Sequence, residues 1–407
     1  MEKFKKPIMI YVIIVALSAL VLGFSDQIFS NYYKDVYNIN AEMRGFIEFP
    51  RELPGVLCIL LISALSFIGD IRMAIVAHIL SFIGIVVLAL FTPSFNIMLI
   101  FLFINSVGMH MFFPLIDGIG MSLIEGNDVG KKMGQFKGIN TAFVFLASLI
   151  VFLGFRYNIF SFLTPIKSIF LISALLCLII IVLFILLNKM IHTPIKKREL
   201  KIKFKKDYKY YYTLAIMNGV QKQIVIVYGP WVLIEILGQQ TDSIALIGMF
   251  GALIGIFFIP HLGRWIDKYG IRKMLFLDAI SFIIIYIVYG LISSGFVSGF
   301  IPKTGFFIGV AIAIMILDKV SMQMAIIRTV YLKSIAIDSK DITPTISLGI
   351  SMDHIVTIIC AGISGIIWEQ YGPQYIFYLA AAFSFINLYV AFKVRDKVVT
   401  AEESLSA

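Results

Sequence analysis

Gly263-Arg-Trp-Ile-Asp267-Lys-Tyr-Gly270-Ile-Arg272-Lys273 is a short charged segment set between two apolar runs, 243–266 and 273–293. Each run is long enough to cross a bilayer as a helix, which takes about 20 apolar residues. The segment therefore reads as a tight connection at one membrane face. Gly270 suits a turn with positive φ, and Gly263 lets a neighbouring helix come close. Asp267 suits a helix N-terminus, while Arg264, Arg272 and Lys273 hold the helix ends among the headgroups of the cytoplasmic side.

Working outward, apolar runs of this kind fill the chain. Of its 407 residues, 60% are hydrophobic and only 14% are charged, and the mean hydropathy is +0.95. Such a composition excludes an ordinary soluble enzyme and a disordered chain. Cys58, Cys177 and Cys360 all lie inside apolar runs, so neither a zinc site nor a disulfide framework is expected. Twelve transmembrane helices are predicted, over 8–34, 41–68, 72–91, 97–123, 134–155, 165–188, 209–237, 243–266, 273–293, 301–328, 344–368 and 373–393. The basic N-terminal residues before the first run superficially resemble a signal peptide, but Ile8–Phe24 is long for one and reads as a first span.

The basic residues test this layout. With the N-terminus in the cytoplasm, 26 of the 34 Lys and Arg fall on the inner side and six on the outer, with Lys222 and Lys319 inside spans. That asymmetry is what the positive-inside rule asks of an even number of spans with both termini cytoplasmic. The formal net charge of +10 is then a topology signal, and no nucleic-acid partner is expected. The most charged stretch, His192–Lys209, separates six spans from six. It predicts an N-terminal bundle over 1–190, a basic cytoplasmic linker over 191–208 and a C-terminal bundle with a short tail over 209–407. Such paired halves place a substrate site near the midplane between them.

The segment 263–273 resembles the loop signature of the major facilitator superfamily, G-x-x-x-D-x-x-G-x-R-K, which that family carries after its second helix and often repeats after its eighth. The resemblance implies an all-α polytopic fold of two six-helix pseudo-symmetric bundles. It also implies that Gly263, Arg264, Asp267, Gly270 and Arg272 brace the two halves at one end of a transport cycle. The equivalent stretch of the first half, Ser66-Phe-Ile-Gly69-Asp70-Ile-Arg72, is shortened, and leaves Asp70 and Arg72 as its brace residues. Drug/proton antiporters of the family usually carry a Gly-Pro motif in the fifth helix and an Arg in the fourth. Here the fifth reads Gly138 to Gly154 without that pair, and the fourth offers Asn105.

Charges at membrane depth are costly and need a reason. Those in the spans are Asp26, Asp117, Lys222, Asp318, Lys319 and Asp353. Lys222, one turn from Asn218 on the same face, either holds an anionic substrate group or neutralises Asp318 or Asp353. Asp353-His354 is either a proton relay, given a buried carboxylate beside a group that titrates near neutrality, or an interhelical hydrogen-bonded pair. Asp318 and Lys319 point about 100° apart, so one is expected to face the cavity while the other pairs elsewhere. Asp26, in the outer part of the first helix, could bind a proton or substrate. Glu48, Arg51 and Glu52, with Arg44 one turn earlier, are expected on a wet outer face, as a salt-bridge cluster or a binding site. Asp117 shares a face with His110, and Asp278 is expected to partner the loop arginines. Trp231 and Trp368 read as anchors at the outer boundary.

The function these features predict is secondary active transport of a small solute by alternating access, coupled to a proton or another ion. An alternative is export of a peptide-like, lipid-like or chelating metabolite. A receptor or a membrane-embedded enzyme is disfavoured: the five histidines are dispersed without metal-ligand spacing, and no Walker-A loop is present. No cofactor and no metal site are expected, and the partners are a small-molecule substrate, the ion and the lipid bilayer, with the protein a monomer in the cytoplasmic membrane.

Overall fold

The computed structural model describes residues 2–124, 129–191, 204–338 and 341–394. The first half contains α1 (Glu2–Tyr37), α2 (Ala41–Phe46), α3 (Glu48–Leu65), α4 (Asp70–Leu90), α5 (Phe95–Ser122), α6 (Val129–Arg156) and α7 (Ser168–Met190). The second contains α8 (Lys209–Gln223), α9 (Gly229–Trp231), α10 (Thr241–Tyr269), α11 (Ile271–Ser298), α12 (Phe306–Met322), α13 (Ile326–Ile335), α14 (Ile342–Tyr371) and α15 (Gln374–Lys393). Among the described residues ten helices are long and apolar enough to cross a membrane, and the bent second span makes eleven. The remaining predicted span, the seventh, is α8 and α9 with π-helical turns at Ile224–Tyr228 and Val232–Ile236. Its polar stretch Asn218, Gln221, Lys222 and Gln223 sets it apart from the others. Gly229-Pro230 lies between the two π turns: proline removes a backbone donor, and the Tyr289 hydroxyl donates to the Gly229 carbonyl at 2.8 Å.

The predicted linker falls mostly outside the described residues. Its last turn is described: Lys205 pairs with Asp341 at 2.6 Å, and the Tyr208 hydroxyl donates to the same carboxylate at 2.9 Å. Lys205, then Tyr208, hold that carboxyl below its usual range. We call the end of the molecule carrying this tether the linker end and the opposite one the far end.

The two halves repeat a turn at the linker end. Gly270, before α11, has φ 84° and ψ 158°, and Gly69, before α4, has φ 84° and ψ 157°. Both values lie where glycine alone is comfortable. The shortened first-half motif therefore keeps the backbone of the longer one.

Three apolar cores hold the molecule. One spans both halves at the far end, and joins Phe24, Tyr32 and Ala147 to Val227, Trp231 and Trp368. The other two lie at the linker end, one confined to the first half and one to the second. Among the described residues, burial of apolar and aromatic surface thus joins the halves at one end only. Trp231, expected as a boundary anchor, is instead fully buried in the shared core, because the break at Gly229-Pro230 turns it inward. Polar contacts follow the same pattern. Lys34 pairs with Glu235 at 2.5 Å, Arg156 with Asp242 at 3.5 Å, Asn31 donates to the Gln239 carbonyl at 3.1 Å, and the Ala41 amide donates to Glu369 at 2.9 Å. At the linker end, open space lies where side chains at Gly134, Gly138 on α6 and Gly263 on α10 would stand.

Candidate functional site

Midway along the seam between the halves, α3 meets α14, and α2 meets α14 beside it. Small residues make this approach possible. A side chain at Gly45 would collide with the Ala361 carbonyl, and one at Gly55 would come within 2.5–2.6 Å of three ring atoms of His354. On the other side of α14, Gly219 of α8 lies so close that a Cβ would sit 2.5 Å from the Asp353 carbonyl. Three helices from two halves are thereby brought together around α14.

At this point a chain of alternating charges crosses from one half to the other. Arg44 donates to Glu48 at 2.6 Å, and the other Glu48 oxygen accepts from Arg51 at 2.9 Å. Arg51 reaches Glu52 at 3.2 Å. Glu52 Oε2 then accepts from Lys222 Nζ at 2.6 Å and lies 2.6 Å from His354 Nδ1. Lys222 stands 3.6 Å from Asp353, whose other oxygen accepts from Asn218 at 2.8 Å. One carboxylate of the first half thus holds two basic groups of the second.

His110 of α5 completes the cluster. Its ring lies 5.1 Å from that of His354, centroid to centroid, and its Nδ1 is fixed by the Ser106 carbonyl at 2.9 Å. Ser106 donates in turn to the Arg51 carbonyl, and Cys58 to the His110 carbonyl at 3.0 Å, so α5 is fastened to α3 here. Glu52, His110 and His354 offer ligand atoms all within 4.8 Å of one another, a spacing that could hold a metal ion. The ammonium of Lys222 already lies 2.6 Å from Glu52 and 3.3 Å from His354 Nδ1. Two of the histidines read as dispersed are therefore neighbours, brought together by helices far apart in sequence.

Several sequence expectations change. Arg44, Glu48 and Glu52 do not line a wet outer face; they are buried, because α14 of the other half covers them. Lys222 takes Glu52 as its nearest partner, with Asp353 second, and does not pair with Asp318. Asp318 is fully buried in α12, with the Tyr286 hydroxyl as the donor beside its carboxylate. Asp278 does not meet the loop arginines; the cation acting on it is Arg328 of α13. Asp26 is exposed although it sits deep in α1, and Lys319 and Arg51 are the cations whose fields reach it. It therefore lies between the halves, within reach of one cation from each. Asp117 is likewise exposed, on a cavity inside the first half.

Of the loop residues, Arg264, Asp267, Arg272 and Arg72 are exposed and Asp70 is half-buried, with Arg272 over the Phe276 ring at 5.9 Å. The sequence places Glu52, the hub of the cluster, with Glu48 and Arg51 on a wet outer face and does not show its partners in the other half. The signal that marks it is the polar stripe Arg44, Glu48, Glu52 with Gly45 and Gly55 beside it, since small residues in a span announce a covering helix.

Gly55→Ala is expected to push the His354 ring off Glu52, at an overpacking cost of about 1–3 kcal/mol. Thermal unfolding of the purified variant in detergent checks this, and an unshifted midpoint would mean that His354 does not rest on Gly55.

The sequence model described as Major Facilitator Superfamily matches residues 5–335. No curated protein matches the chain. Among solved structures, a variant of the nucleoside transporter NupG is similar with a TM-score of 0.77 at 14% identity, over 95% of this chain and 99% of that one. An auto-inhibited POT family peptide transporter gives 0.69 at 13% identity, over 97% and 99%. A D-xylose-proton symporter gives 0.67 at 15% identity, over 93% and 97%. At these identities the likeness is one of fold.

Proposed function

The chain belongs to the Major Facilitator Superfamily, and on that basis we propose that it is a secondary active carrier that moves a small solute by alternating access, driven by protons. The observation that carries the proposal is the Glu52–Lys222–His354 junction, in which a carboxylate of one half is shared by two basic groups of the other. Such a contact changes strength when a proton arrives, and it lies on the seam along which the halves must move. Protonation of Glu52 removes the charge that Lys222 and Arg51 share. Lys222 then turns to Asp353, which already stands 3.6 Å away, and the seam loosens. His354 and His110 stand beside the Glu52 carboxylate, with ligand atoms within 4.8 Å of it. A D-xylose-proton symporter is among the structures of the same fold, in keeping with this kind of coupling.

The linker end is assigned to the cytoplasm of the cytoplasmic membrane, because the inner assignment collects 26 of the 34 basic residues. The structure is then an inward-open state. Its far end is closed by the shared core and by Lys34–Glu235, and its separate linker-end cores leave access from the cytoplasm. On this reading the loop residues Gly263, Arg264, Asp267, Gly270, Arg272, Asp70 and Arg72 brace the halves when the linker end closes. Each monomer holds a complete pathway.

A cysteine pair at Asn31 and Gln239, where the Asn31 side chain reaches the Gln239 carbonyl at 3.1 Å, is expected to cross-link and stop transport, with reductant restoring it. Undiminished transport by the fully cross-linked protein would exclude opening at the far end.

A further inference from the structure

Away from the seam, a cavity of ≈ 330 Å³ lies inside the first half, between α1, α4, α5, α6 and α7. Its size falls within the range of small-molecule sites. Two charged residues line it, Asp117 of α5 and Lys137 of α6. Both are exposed to the space. Among the described residues neither side chain makes an ion pair or a side-chain hydrogen bond, although the Asp117 carboxylate lies close enough to act on the Tyr11 hydroxyl. A facing acid and base that leave each other alone are unusual in a membrane protein, where charges normally pair.

Three buried polar residues line the same space, Ser18, His78 and Ser81. Ser18 is 8% exposed, and its hydroxyl has no hydrogen-bond partner. His78 is 5% exposed, and its Nδ1 lies 3.0 Å from the Ala74 carbonyl. A carbonyl only accepts, so Nδ1 carries the proton and Nε2 is left as an acceptor. The ring is held edge-on against Phe112 at 4.4 Å. Phe112 and Phe113 belong to the apolar part of the lining. The cavity therefore offers an anion and a neutral acceptor, a cation and a neutral donor, and an aromatic wall.

We propose that this cavity binds a small zwitterion with an apolar tail, of the apolar α-amino acid class. Its ammonium would go to Asp117 and His78, its carboxylate to Lys137 and Ser18, and its side chain to the phenylalanines. The site is separate from the seam on which alternating access acts, so the proposal goes beyond the transport reading and does not depend on it.

The test is equilibrium binding to the purified full chain in detergent, with L-phenylalanine and L-leucine as probes. Two analogues each lack one charge, 2-phenylethylamine and 3-phenylpropanoate. The amino acids are expected to bind, and each analogue at least about tenfold more weakly than L-phenylalanine. Asp117→Asn should weaken L-phenylalanine and 2-phenylethylamine but not 3-phenylpropanoate. Lys137→Met should do the reverse, and Asp117→Glu should keep binding and so report an intact fold. No binding by the wild-type protein, equal binding of all three phenyl compounds, or indifference to both substitutions would overturn the proposal. Binding needs no gradient, so its failure is separable from failure of proton coupling at the seam.

Discussion

Glu52→Gln is expected to abolish accumulation of solute against a gradient while leaving exchange across the membrane intact. Glutamine keeps the shape of the side chain but cannot take or release a proton. In the wild-type protein the Glu52 carboxylate holds Lys222 and His354 at 2.6 Å each and Arg51 at 3.2 Å. Charge-assisted hydrogen bonds of this kind are roughly twice as strong as neutral ones. The variant therefore fixes the seam in the state that protonation would produce, and removes the step at which the gradient enters. Exchange, which needs only movement of the loaded carrier, survives. Proteoliposomes with and without an imposed proton gradient distinguish the two modes. Retained concentrative uptake would remove Glu52 from coupling.

Glu48→Ala is expected to be the most destabilising single substitution in the cluster, by about 3–5 kcal/mol, because it strands a buried charge. Glu48 is 0% exposed and Arg44 1%. Glu48 is the partner of Arg44 at 2.6 Å and of Arg51 at 2.8 Å. The remaining contacts of Arg44 are weak: Ser30 at 3.5 Å and the Tyr33 ring at 5.5 Å. Arg51, which is partly exposed and also touches Glu52, is less affected. The double variant Arg44→Leu/Glu48→Leu should recover part of the loss, since replacing a buried pair by apolar groups is often near neutral. Thermal unfolding in detergent measures both. A single variant as stable as the wild type would mean that water reaches Arg44.

The fold was readable because its signals are local. Apolar length and basic loops gave the twelve spans, and glycine marked the turn at Gly270. The site was less readable because its contacts are not local. Glu52 lies 170 residues from Lys222 and 302 from His354. A helical stripe says which residues share a face but not which helix covers it, so Arg44, Glu48 and Glu52 read as wet. That Lys222 needs an acid was legible, since a deep cation requires one, but the sequence left Asp318 and Asp353 as alternatives and did not point to Glu52, its nearest partner. The π turns around Gly229-Pro230, and with them the burial of Trp231, follow from packing of the whole half. Asp26 was correctly placed in a span, and its exposure follows from its place between the halves.

Electron–electron distance measurements between spin labels in liposomes test most directly whether the Glu52 junction governs alternation. One label pair sits at the linker end, on Lys131 and Lys268, and the other at the far end, on Tyr157 and Gln240, all exposed positions. On acidification, or in Glu52→Gln, the linker-end distance should shorten as the far-end distance lengthens. Distances that stay fixed, or that change together in the same sense, would contradict alternating access controlled at Glu52.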